Sequence, residues 1–273
     1  MSYQNHIQEI VKQHDIDQYY AGLLMPEEYR RKYFTLVAFN GELVKIREQT
    51  QEAMIAEIKL QWWRDALTAF SAKKERIVRE HPILLELDAL QPSAEVIQNM
   101  QAIIEARSFD LYEQGPQSWT ALTDYVENTS GLLNETAVLW SLGATETKTG
   151  YLAQAKSAGS AWGMVNIILA VTRHALSGKS FIPGEEWNAG HQFSQEELEK
   201  LRVKIEKMQQ YCLDALSNAG SKEKDLRPFL ALNAISKKYC TLLKRENFMV
   251  DKFSGQQISR IGRLWLILKN NFF

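Results

Sequence analysis

Along nearly the whole chain apolar residues recur at spacings of three and four, the period of a helix with one buried face. No segment keeps the strict alternation of a strand, and the punctuating residues are sparse, with 14 glycines and 6 prolines. This pattern predicts roughly eight or nine helices on one core, all-α, in a single domain spanning 1–273. Pro26 precedes Glu27 and Glu28, which predicts proline in a first helical turn with acids at the positive end of the dipole. The helix that starts there is expected to run to about Arg47, and the next from about Gln51 to Phe70. In the latter, Ile55, Ile58, Trp62 and Ala66 form one stripe, expected to face the core. Pro82 and Pro92 bracket a short helix, ILLELDAL. Further helices are expected at about 94–113, 119–142, 149–176, 194–217, 227–246 and 256–270. TETKTG (145–150) and SNAGSKEKD (217–225) read as hydrophilic connectors, and no internal repeat is present.

Composition narrows the function classes. With 273 residues the chain is near the upper limit for one core, and 45% hydrophobic with 24% charged residues is ordinary for a water-exposed fold. A formal net charge of -1 provides no broad basic field, so nucleic acid is not an expected partner. The longest apolar run, WGMVNIILAV at 162–171, is half of the roughly 20 residues a spanning helix needs, and it contains Asn166. No transmembrane segment is expected. The start MSYQNHIQEIVKQHD has neither the basic head nor the apolar block of a secretory signal, and the expected location is cytoplasmic. Cys212 and Cys240 fit no metal-ligand or redox spacing and read as buried free thiols.

The candidate chemistry lies in a few helical segments. In EIKLQWWRD, Glu57, Gln61 and either Arg64 or Asp65 are three or four residues apart and share a face, as a pocket wall or as a partly solvated charge network. In AFNGELVKIRE (38–48), Asn40 accompanies two acids, Glu42 and Glu48, which stand about 120° apart around the helix. Lys45 lies between them and is the wrong neighbour for a magnesium ion, which takes oxygen ligands. MVNIILAVTRHALSG (164–178) contains no acid at all. His174 belongs to no HxxxH pair, and Asn166 must find hydrogen bonds within an apolar run, from the protein or from a ligand. DYVENTSGLLNE supplies Tyr125, Asn128, Ser130 and Glu135, with Ser130 suited to close helix approach. No GxSxG elbow, phosphate-cradling glycine loop or Cys–His signature occurs.

Five segments occur in order over about 15–185: YYAGLLMPEEYRRKYFTLVAFNGEL, EIKLQWWRDAL, HPIL, DYVENTSGLL and NIILAVTRHALSGKSFIP. Together they resemble the squalene/phytoene synthase family. The resemblance implies an isoprenoid-synthase-like helical bundle around a central cavity. It also implies head-to-head condensation of two prenyl diphosphates on magnesium held by two aspartate-rich helices. Laid on this chain, the first motif puts its paired aspartates at Val44 and Lys45 and a third acid at Glu48, and the second puts its aspartates at Ala170 and His174. Only Glu48 keeps a carboxylate. The pattern resembles a divergent branch of that family, one that includes a mitochondrial factor for assembling respiratory complex I. This implies a non-catalytic protein, with no cofactor, that binds an isoprenoid or lipid ligand or a membrane-associated protein partner. The implied place is the mitochondrial matrix in a eukaryote, or the inner face of a bacterial membrane. The alternative is a magnesium-dependent prenyltransferase using Glu42, Glu48, Glu57, Asp65 or Asp110. A third reading is a purely structural helical partner with no pocket.

The C-terminal run ISRIGRLWLILKNNFF places Ile261, Leu264, Trp265 and Leu268 on one stripe, edged by Arg260, Arg263 and Lys269. Such a stripe is either the last core helix or a face that rests on an anionic membrane or a membrane-bound partner.

Overall fold

The computed structural model describes residues 3–50, 52–72, 81–112, 115–143, 149–220, 223–252 and 258–272. Thirteen α-helices run through them: α1 (Tyr3–His14), α2 (Ile16–Leu23), α3 (Glu27–Gln49), α4 (Ala53–Ser71), α5 (Pro82–Leu90), α6 (Ala94–Tyr112), α7 (Trp119–Val126), α8 (Leu132–Leu142), α9 (Thr149–Leu169), α10 (Val171–Leu176), α11 (Gln195–Asn218), α12 (Asn233–Arg245) and α13 (Arg260–Phe272). Among the described residues, β pairing is confined to one isolated bridge between Ser177 and Ala189. The fold is the all-α bundle that periodicity predicts.

Local chemistry sets the helix ends. Asp15 leaves α1 and caps α2, its carboxylate accepting from the backbone N–H groups of Asp17 and Gln18 at 3.0 Å each. Pro26 precedes α3 as its cap rather than sitting inside the first turn, with Glu27 and Glu28 following at the positive end of the dipole. His81 Nδ1 accepts from the Ile83 N–H at 3.3 Å, and Pro82 opens α5 without a donor to waste. Ser194 and Glu197 form a reciprocal capping box at α11.

Several expectations change. Helices α1 (Tyr3–His14) and α2 (Ile16–Leu23) lie ahead of Pro26, where the sequence pattern assigned no helix. The segment expected as one helix over 119–142 contains a π-helical turn, Glu127–Gly131, between α7 and α8. The helix expected over 149–176 breaks at Ala170, whose ψ of 0° ends α9 and starts α10. The segment expected over 227–246 is a 3-10 turn, Arg227–Leu230, before α12. The α4 stripe is also reversed: Ile55, Ile58 and Trp62 are exposed, while Ala56, Leu60, Trp63, Ala66 and Leu67 form the buried side. Trp63 settles the choice by packing edge-on against Phe39 of α3, with ring centroids 5.2 Å apart.

One hydrophobic core extends from Ile7 to Ile267. Its central rod is α9, packed against α7, α8, α11 and α12. Close approach there depends on small residues: a Cβ on Gly159 would lie 2.2 Å from the Ser130 carbonyl oxygen, and one on Gly163 would lie 2.7 Å from Ser130 Oγ. Fully buried side chains such as Phe34, Phe39 and Tyr239 make up the bulk of the interior, each contributing about 2–3 kcal/mol by leaving water. Cys212 and Cys240 are both free and buried.

Candidate functional site

A cavity of about 740 Å³ opens between α3 and the α9–α10 break, with walls from α1, α2, α6, α7, α12 and α13. That volume is in the range of small-molecule sites. Asn40 and Val44 of α3 face Asn166, Ala170 and His174 across it, and Tyr125 closes one side. The structure thus brings six of the sequence candidates to one space. A small apolar recess adjoins it and shares Gln18, Val37, Ser130 and Trp162 with its wall.

The other candidates lie elsewhere. Glu42 and Lys45 form an ion pair at 2.6 Å along α3 and do not line the cavity. Glu57, Gln61, Arg64 and Asp65 make a network on the outer side of α4. Arg64 donates to Glu57 at 2.6 Å and to Glu105 at 2.7 Å, and Gln61 donates to Asp65 at 2.8 Å. Partly solvated pairs of this kind contribute little to stability, and here they brace α4 against α6. The side chains of Glu48 and Asp110 lie outside the described residues.

Val44 and Ala170 present hydrocarbon to the cavity at positions where the resemblance puts metal-binding aspartates. The His174 ring lies against Phe181 with centroids 5.0 Å apart, and Phe181 in turn packs against Tyr125 at 5.3 Å. Arg107 reaches in from α6, donating to the Tyr125 hydroxyl at 2.6 Å and to Asn40 Oδ1 at 3.1 Å. Among the described residues no three His, Cys, Asp or Glu side chains are grouped as metal ligands. Divalent magnesium calls for converging oxygen donors. Val44, Lys45, Ala170 and His174 do not fit that requirement.

Acids reach the cavity from a place that sequence reasoning missed. Asp15 and Asp17, at the start of α2, line the cavity. Asp17 is 4% exposed and accepts from Arg263 Nη1 of α13 at 2.6 Å. Burial raises its pKa to about 7, the charge of Asp15 adds to the rise, and Arg263 opposes it. The Asp15 carboxyl is pushed up by burial as well, against the backbone N–H of Gln18 and the nearby indole of Trp162. The only signal in the sequence was DID ahead of an apolar helix, legible as a cap but not as a cavity wall. Arg263 was read as an edge cation, whereas its guanidinium is inside, 5.9 Å from the Tyr239 ring centroid.

Helix α13 has one buried face and one exposed face. Ile267 is fully buried and Arg263 reaches the cavity, so one face of α13 closes the bundle. The predicted stripe itself points outward, with Ile261 83%, Trp265 57% and Leu264 37% exposed.

Comparison with known proteins places this arrangement. A dehydrosqualene synthase crystallised with a ligand superposes with a TM-score of 0.76 at 15% identity, over 98% of this chain and 95% of that one. The squalene synthase HpnC from Alicyclobacillus acidocaldarius gives 0.67 at 13% identity, over 90% and 94% of the two chains. At such identities these matches establish the fold, the isoprenoid-synthase bundle. In sequence, the mouse and human proteins named NADH dehydrogenase (ubiquinone) complex I, assembly factor 6 are each 27% identical over 176 and 177 residues. The Drosophila melanogaster homologue is 35% identical over 85 residues. The chain spans about half the length of the mammalian relatives, 51%, with 64% of its own length aligned. Residues 11–244 match squalene/phytoene synthase, and the chain belongs to that family.

Proposed function

We propose that this chain is a non-catalytic member of its family that acts by binding, and that its cavity takes an isoprenoid or lipid. The observation that carries this reading is the hydrocarbon at Val44 and Ala170, on the two helix faces that meet across the cavity. Ionising a prenyl diphosphate develops anionic charge on the leaving group, which needs metal or equivalent cationic support in the transition state. Two apolar side chains offer none. The relatives named as complex I assembly factors support a role in assembling a respiratory complex, in the mitochondrial matrix or at the inner face of a bacterial membrane. Titration calorimetry with a non-hydrolysable farnesyl diphosphate analogue, with and without magnesium, tests the reading. Any affinity is expected to be the same in both, and tightening of tenfold or more by magnesium would overturn it.

The outward face of α13 supports peripheral contact with a membrane. Ile261, Leu264 and Trp265 are exposed, and Lys269 stands 5.1 Å from the Trp265 ring centroid. Among the described residues no helix is long and apolar enough to cross a bilayer. Apolar residues edged by cations suit an anionic interface. Flotation with vesicles containing anionic lipid should fall severalfold in the double variant Ile261→Ser, Trp265→Ser, with the thermal midpoint unchanged. Equal flotation of variant and parent would remove α13 from any membrane contact.

A further inference from the structure

Cations line the cavity at the places where metal-binding acids are missing. Among the described residues that border it, three arginines, Arg107, Arg173 and Arg263, stand against two aspartates. Both aspartates are engaged within the protein. Asp17 accepts from Arg263, and the Asp15 carboxylate accepts from the first amides of α2 and from the Trp162 indole. Burial raises the pKa of both, which lowers the negative charge they present to the cavity. The other two arginines flank Val44 and Ala170. Arg107 donates to Asn40 Oδ1, and Asn40 lies one turn before Val44 on the same face of α3. The Tyr125 hydroxyl fixes the same guanidinium, which stands 5.6 Å from the centre of that ring. Arg173 follows Ala170 by three residues on α10 and is exposed to solvent. Successive ring contacts from Tyr125 to Phe181 to His174 link the two arginine positions along the wall.

We propose that the cavity binds a lipid with a single oxyanion, a carboxylate or a phosphate monoester, whose head rests directly on Arg107 with no metal between them. This rests on the reading of the cavity as a lipid site and specifies its head group. A positioned guanidinium presents planar donors that match the oxygens of either head, and Arg173 adds attraction from the solvent side. The second phosphate of a diphosphate adds charge that these two arginines do not neutralise, and Val44 and Ala170 hold no metal to share it. An ammonium head meets like charge. Val37, Val126, Ile167 and Leu169 supply hydrocarbon for the tail.

Calorimetry on the full chain in EDTA, with farnesyl monophosphate, farnesoic acid, farnesol, farnesyl diphosphate and inorganic phosphate, tests this on the unmodified protein. At least one of the two singly headed anions should bind about tenfold tighter than farnesol, a difference typical of a charge-assisted hydrogen bond, and the tighter of them identifies the head. The diphosphate should gain nothing over the monophosphate, and inorganic phosphate should bind far more weakly. Added salt should weaken the anions severalfold and leave farnesol unchanged. Arg107→Gln, with its thermal midpoint checked against the parent's, should bring the anions down about tenfold, to the level of farnesol. Arg173→Gln, at an exposed position, should weaken them severalfold. Farnesol binding as tightly as both anions would overturn the head-group assignment while leaving the lipid site standing. A tighter diphosphate would overturn the single oxyanion, and unaltered anion affinity in a folded Arg107→Gln would overturn the anchor. Inorganic phosphate binding as tightly as the monophosphate, or binding of none of the five, would overturn the lipid site and the head-group assignment together.

Discussion

Gly159→Val is expected to destabilise the chain by about 3 kcal/mol, enough to remove much of the stability of an ordinary domain. The cause is backbone contact between α9 and the π-helical turn before α8. A Cβ at Gly159 would meet the Ser130 carbonyl oxygen at 2.2 Å, Asn134 Cβ at 2.9 Å and Gly131 Cα at 3.0 Å. No flexible side-chain end is available to yield, so two helices must separate. Because α9 also forms the cavity wall through Asn166, the same change should loosen any bound ligand. Gly150 provides the control. It lies in the first turn of the same helix, where an added methyl would have nothing within 4 Å, and Gly150→Ala should stabilise by up to about 1 kcal/mol through helix propensity. Urea denaturation of the two variants measures both effects, and a Gly159→Val midpoint equal to the parent's would refute the close-approach account.

Arg263→Met should cost about 3 kcal/mol or more at pH 8 and much less at pH 5. The substitution leaves the Asp17 carboxylate buried at the cavity wall without its cation. The sign of the pH dependence follows from the raised pKa. Asp17 sits at about 7 in the folded chain against an ordinary 3.8, so the folded state holds its proton more tightly than the unfolded one. Its contribution to stability is fully present below pH 3.8 and is lost as pH rises through 7. Without Arg263 the folded pKa rises further, which widens the gap between variant and parent in alkaline solution. Asp17→Asn should remove this part of the pH dependence from both backgrounds. Thermal midpoints across pH 5–8 read it directly, and a loss in Arg263→Met that is independent of pH would show that the ion pair is not its source.

The helical class was legible because period 3.6 recurs across the chain, and a bundle around a central cavity followed from the family segments. What stayed hidden has specific causes. Helix α4 is apolar on both sides, with Ile55, Ile58 and Trp62 on one and Leu60, Trp63 and Leu67 on the other, so periodicity alone could not say which side met α3. Adjacent tryptophans point in different directions on a helix, and only Trp63 found Phe39. The break at Ala170 has neither glycine nor proline to mark it. In α13 the apolar stripe was visible and its orientation was not, because the inward face is built on Ile267 and a paired arginine. Among the site residues, Asn40, Val44, Tyr125, Asn166, Ala170 and His174 were reached through motif positions. Asp15, Asp17, Trp162 and Arg263 come together from α1–α2, α9 and α13, a juxtaposition no local pattern encodes.

The loss of metal-assisted chemistry is the central claim, and product analysis tests it most directly. The full chain is incubated with farnesyl or geranylgeranyl diphosphate and magnesium, and the organic extract is examined for condensed hydrocarbons and their cyclopropyl diphosphate precursors. With Val44 and Ala170 on the facing helices, the expected result is unreacted diphosphate, at the level of a protein-free control. A magnesium-dependent head-to-head product, formed with turnover, would contradict the account.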